Sequence, residues 1–132
     1  MAEKYSKNLL ENYLKVADEA LRDAKSRYNE NSFRAAAHSA YYAMFYSANA
    51  ALIKIGAELP RTHQGLVARF NYHYIRTKII KDNFSDYLRT AMELRLSGDY
   101  NVTIEPDKRL VLSTINNAQE FVTTIKKIVN KK

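Results

Sequence analysis

Between Ala35 and Leu52 the chain reads AAAHSAYYAMFYSANAAL: eighteen residues, eight of them alanine and none charged. Phe33, Ala37, Ala40, Met44, Ala48, Ala51 and Ile55 recur at spacings of four, three, four, four, three and four. That is the seam of a helix in a bundle, and its alanines let a neighbouring helix approach closely. A second stripe, His38, Tyr42, Tyr46 and Asn49, runs beside it at four, four and three. The stripe has two uses. Its rings can pack in a core or an interface while their hydroxyls find partners, or they can form a polar aromatic wall that stacks a base or holds a phosphate.

The rest of the chain carries the same period. With three glycines and two prolines in 132 residues there is little turn material, which favours long helices joined by short loops. Leu9, Leu10, Tyr13, Leu14, Val16, Ala17, Ala20, Leu21, Ala24 and Tyr28 make one apolar stripe. The turn Asn29–Ser32 then ends in N-cap residues. The second helix is expected from about Ser32 to Ile55, closed by Gly56, and Thr62 is placed to cap a third. That third segment sets Leu66, Val67, Phe70, Tyr74 and Ile75 on one side. A shorter piece follows over about residues 85–96. SGDYNVTIEP is the longest non-helical stretch, and Pro106 suits the first turn of the last helix. The expected class is all-α: a single domain over 1–132, an up-and-down bundle of four long helices plus a short fifth.

Chemistry is bounded by what is missing. There is no cysteine, so disulfides, thiolate metal sites and cysteine nucleophiles are excluded, and a reducing cytosol is the expected setting. No stretch approaches the roughly 20 apolar residues of a membrane helix. His38, His63 and His73 lack metal-ligand spacing on a helix face, and neither a metal nor a cofactor is expected. The formal net charge of +7 favours polyanionic partners. From Leu59 to Lys81 there are Arg61, Arg69, Arg76, Lys78 and Lys81 and no acid. This is either a solvated basic face or a phosphate-contacting surface with Phe70, Tyr72 and Tyr74 interleaved. In ELRLSGDYN a helix is expected to end at Ser97 or Gly98. Asp99 and Tyr100 would then lie just beyond it, either as an Arg95–Asp99 clasp that caps the helix with Tyr100 packed beneath, or as part of a binding site.

Three blocks in this order, SAYYAMFYSANAAL, RTHQGLVARF and ELRLSGDY, resemble the HEPN superfamily (higher eukaryotes and prokaryotes nucleotide-binding domain), and in particular its small single-domain prokaryotic branch. They span roughly Phe33 to Asn101. The resemblance implies a bundle of four or five helices that often dimerises. It also implies a common pairing with a small nucleotidyltransferase in toxin–antitoxin-like systems. Many such proteins are metal-independent ribonucleases marked by Arg, four to six residues, then His. The His serves as acid or base, and the Arg holds the phosphate.

This chain departs from that signature. Arg34 and His38 have three residues between them, as do Arg69 and His73. Where some relatives bracket AYYAMF with Arg and His, Ser39 and Tyr46 stand here. Arg95 is followed by Asp99 and Tyr100, neither of which titrates near neutral pH. The expected function is therefore a non-catalytic HEPN module. It would form a homodimer and bind a nucleotidyltransferase partner, a nucleotide or RNA. Arg95, Asp99 and Tyr100 would form the site or its scaffold, joined by His38, Tyr42, Tyr46, Arg61 and His63. The alternative is a HEPN ribonuclease with His38 or His63 as acid/base and Arg95 on the phosphate. A third reading is a helical dimer whose tyrosines are interface alone.

Overall fold

The computed structural model describes the backbone of residues 2–100, 103 and 105–131, and the side chains of that set apart from 2–6 and 98–100. The helices are α1 (Ala2–Asn29), α2 (Phe33–Lys54), α3 (His63–Phe70), α4 (Asn83–Tyr100) and α5 (Lys108–Val129). A π-helical turn, Asn71–Ile75, extends α3. The class is the expected all-α bundle. Among the described residues no helix is long and apolar enough to cross a membrane.

The uncharged helix α2 is the centre, packed against α1, α3, α4 and α5. Its alanines Ala36, Ala37, Ala40, Ala43, Ala48, Ala50 and Ala51 are all buried, as are Met44 and Leu52. Small side chains on this helix meet small ones on α1, where Ala17 and Ala24 are fully covered. Close packing of this kind leaves few voids and gathers dispersion contacts along the whole seam. From α5, Val111, Ile115, Ala118, Phe121, Val122, Ile125 and Val129 close the other side. An aromatic group seals the lower core. Phe121 lies 5.3 Å from Phe70 and 5.8 Å from Phe84, and Phe70 stacks on Tyr74 at 5.7 Å.

The helix ends follow from local chemistry. At α1 the residue past the C-cap is Asn31, with φ +64°. Ser32 N–H returns to Arg27 O and Asn31 N–H to Tyr28 O, the paired bonds of a Schellman stop. Gly56, with φ +73°, does the same for α2, as its position in the sequence predicts. There Ala57 N–H bonds Leu52 O, and Gly56 N–H bonds Ile53 O. Ala51 O, one of the last four carbonyls of α2, receives the Tyr74 hydroxyl at 2.5 Å. Burial pushes the Tyr74 phenol up to about 12, so it keeps the proton it donates.

Several boundaries differ from the sequence expectation. The short element is α3, not the piece after it. Arg76 N–H bonds Asn71 O at 2.8 Å, closing a wide i to i+5 turn that ends the helix. The fourth helix starts at Asn83 and runs on to Tyr100 rather than stopping at Ser97 or Gly98. A lone glycine costs a helix only about 1 kcal/mol. Pro106 stands before the last helix, not in its first turn. Asp107 is the cap, and its carboxylate accepts from Arg109 N–H at 2.8 Å and Leu110 N–H at 3.3 Å. Ser32 sits at the N-cap of α2 but makes no side-chain capping bond.

Two variants separate packing from backbone effects. Phe121→Ala is expected to cost about 3–5 kcal/mol, because its cavity lies among rings that cannot collapse into it. Gly56→Ala should cost only about 1–2 kcal/mol, from left-handed backbone strain, since nothing lies within 4 Å of the added carbon. Urea unfolding followed by circular dichroism reads both.

Candidate functional site

The three sequence blocks meet in space at the top of α2. Tyr41 is fully buried, and its hydroxyl shares a 2.6 Å hydrogen bond with His63 Nδ1. His63 is the first residue of α3, and its position is fixed by the turn before it. The Thr62 side chain accepts from Gly65 N–H at 2.9 Å and caps the helix. A Cβ at position 65 would stand 2.9 Å from Thr62 Oγ1 and 3.2 Å from Pro60 Cβ. The Thr-His-x-Gly spacing is thus a cap with room for its hydroxyl. It presents the histidine to α2.

Arg95 of α4 completes the group. Its Cζ lies 5.3 Å from the Tyr41 ring centre and 5.9 Å from that of Tyr42, within cation–π range. Around the imidazole, Phe45 is at 5.0 Å, Tyr41 at 5.4 Å and Tyr42 at 6.0 Å. His38 lies tilted against Tyr42 with ring centres 4.8 Å apart, and Tyr46 follows at 5.6 Å from Tyr42. Beside this wall a groove of about 460 Å³ runs between α1 and α2, lined by Glu19, Asp23, His38, Ser39, Tyr42 and Tyr46 among others.

The electrostatics give each group a role. Burial, and behind it the Arg95 guanidinium, holds His63 below the usual 6.5. The imidazole is neutral at pH 7. Burial raises the Tyr41 phenol, with Arg95 acting against it and Tyr42 adding to it, so Tyr41 keeps its proton. A buried phenol that keeps its proton is satisfied by donating it to Nδ1, which assigns the imidazole proton to Nε2. His63 then offers its half-buried ring as a hydrogen-bond donor, next to the Arg95 cation. An anion is the complement of that pair. Burial also raises Tyr46, with smaller contributions from Tyr42 and Tyr13.

Set against the expected site, the structure brings together His38, Tyr42, Tyr46, His63 and Arg95. Arg61 is exposed, ahead of the Thr62 cap. Asp99 and Tyr100 belong to the last turn of α4 rather than to a loop beyond it; their side chains, and any clasp between Arg95 and Asp99, lie outside the described residues. Asn49 of the His–Tyr stripe is buried, and its amide donates to Phe45 O at 3.1 Å. Tyr41 is the residue that sequence reasoning missed. It sits four after Ala37 on the packing seam, and only its polar tip at a buried position signals a partner. Of the aromatics interleaved with the basic run, Phe70 and Tyr74 are core and Tyr72 is exposed. Among the described residues, no group of three His, Cys, Asp or Glu side chains is placed to hold a metal ion.

A helical bundle that joins an AYYAMF helix to a Thr-His-x-Gly cap and an arginine on α4, the third of its four long helices, defines the class. Residues 10–128 match the HEPN domain model, and the chain belongs to the HEPN family. Its relatives include a UPF0332 protein of Thermotoga maritima, 28% identical over 121 residues, which cover 92% of this chain and 91% of that one. A UPF0332 protein of Archaeoglobus fulgidus is 30% identical over 92% of this chain and 96% of its own. A Methanocaldococcus jannaschii protein, named as a candidate toxin, is 30% identical over 89% of this chain and 87% of its own.

His63 is expected to titrate below 6.5 in an NMR pH series. Arg95→Gln should move it up without restoring 6.5, because burial is the larger cause and stays. The unfolded chain takes up the His63 proton at higher pH than the native one does. The native state therefore loses stability as pH falls below about 6.5. His63→Gln should flatten that part of the stability curve, read by urea unfolding at several pH values.

Proposed function

We propose that this chain is a non-catalytic HEPN module of a toxin–antitoxin-like system. It binds a nucleotide or RNA at the Tyr42–His63–Arg95 cluster, forms a homodimer, and docks a small nucleotidyltransferase partner. The observation that carries this reading is the Tyr41–His63 hydrogen bond beside Arg95. It makes His63 a fixed donor next to a cation, which suits holding a phosphate. A general base would need a free lone pair directed at the substrate. The rings of Tyr42, Phe45 and His38 supply stacking area beside it. The net charge of +7 suits a polyanionic ligand, and relatives named as candidate toxins support the toxin–antitoxin-like setting. Dimerisation and the nucleotidyltransferase pairing come from the family resemblance. The setting that fits this reading is the cytoplasm.

One observation favours a second reading. Arg95 and a neutral His63 are the two residue types of a metal-independent ribonuclease site, drawn here from two helices instead of one motif. One experiment separates the two. Purified protein with single-stranded RNA and EDTA should leave the RNA intact while still binding it. Affinity should fall as salt rises, because released counterions drive association. Arg95→Gln should weaken binding by roughly 10-fold or more, the size of a charge-assisted contact. EDTA-resistant cleavage that His63→Ala abolishes would overturn the non-catalytic reading.

A further inference from the structure

The π-helical turn at Asn71–Ile75 has a second consequence, at the opposite end of α3 from His63. Phe70 and Tyr74 turn into the core, while Tyr72 stands 57% exposed on the surface. The Arg76 guanidinium carbon lies 4.1 Å from the Tyr72 ring centre. Its Nε donates to Tyr72 O at 3.3 Å, and Arg76 is itself exposed. His73 meets the same ring edge-on at 4.9 Å. Lys78, at a left-handed φ of +64°, and Lys81 extend the positive charge. Lys78 pairs with Asp82 at 3.3 Å, but both side chains are at least 70% exposed. Such a pair is held weakly and yields to a competing phosphate.

We propose that this face is a stacking platform for single-stranded RNA, with Tyr72 receiving a base and Arg76, Lys78 and Lys81 tracking the phosphates. Sequence and geometry agree on the occupant. The run from Leu59 to Lys81 carries no acid, and its exposed Arg76, Lys78 and Lys81 suit a repeating anion. The one large exposed ring in the turn already has a guanidinium against it, the arrangement that single-strand binders use. Single π-helical turns are also frequent at functional positions. The platform shares only its ligand class with the function proposed above.

The probe is a fluorescent oligouridylate of about 12 nucleotides, within the site sizes of stacking grooves, followed by anisotropy across a salt series. Tyr72→Ala should weaken binding roughly 10-fold or more, and Tyr72→Phe should bind as the parent does. Arg76→Gln should lower the salt slope by about one ion. All three changes are at exposed positions, and circular dichroism checks that the helices persist. Unchanged affinity in Tyr72→Ala overturns the platform. If Arg95→Gln still weakens binding in that case, the central cluster stands alone. The reverse pattern removes the cluster and keeps the platform. A parent chain with no salt-dependent affinity for the oligonucleotide also overturns the platform. It would leave the face, with Ile79 exposed by 57%, to a protein partner.

Discussion

Everything in this bundle depends on covering α2. A helix without charge on any face of its middle turns is stable in water only when neighbours take up most of its circumference, which here leaves only the His38–Tyr42–Tyr46 side partly open. Alanine makes that cover possible. With Ala36, Ala40, Ala43 and Ala50 fully buried, adjacent backbones come close enough for several helices to touch one central rod. Larger side chains on α5, Phe121 above all, then fill the space that the alanines leave.

The same burial creates the site. Placing Tyr41 in the packed seam takes its hydroxyl out of water, a cost of about 1–3 kcal/mol if left unmatched. The match comes from His63, on an element more than twenty residues away in the chain. Burial that keeps the phenol protonated also keeps the imidazole neutral, and Arg95 reinforces the second effect. A core hydrogen bond therefore fixes the tautomer of a half-buried histidine beside a cation. Core packing and the exposed polar chemistry of the cluster are one arrangement seen from its two sides, which is why Tyr42, one residue on, shares the cluster while staying half-exposed.

Much of the fold was legible because it rests on local rules. The period of three and four marked α1, α2 and α5, and Gly56 and Thr62 marked a stop and a start that the structure keeps. The errors fell where local signals were weak or in competition. Gly98 looked like a terminator, yet one unfavourable residue does not outweigh a continuing helix. Pro106 looked like a first-turn residue, but Asp107 offers two capping bonds that proline cannot. The π-helical turn left no period to read. Among the site residues, His38, Tyr42, Tyr46, His63 and Arg95 stood out by type and spacing. Tyr41 did not, because its spacing is that of a core residue.

By itself, then, the sequence determined an all-α chain of HEPN type without cysteine, and it named most of the side chains that gather at the cluster. Helix periodicity, capping and composition act over a few residues and can be read along a line. Only the tertiary structure decided that Tyr41, His63 and Arg95 touch. It also decided which of two adjacent tyrosines is sealed, and that Tyr72 faces outward while Phe70 and Tyr74 face in. Those outcomes depend on which surfaces α2, α3 and α4 bury against one another. Burial sets protonation, donor direction and exposure through distances between residues far apart in the chain.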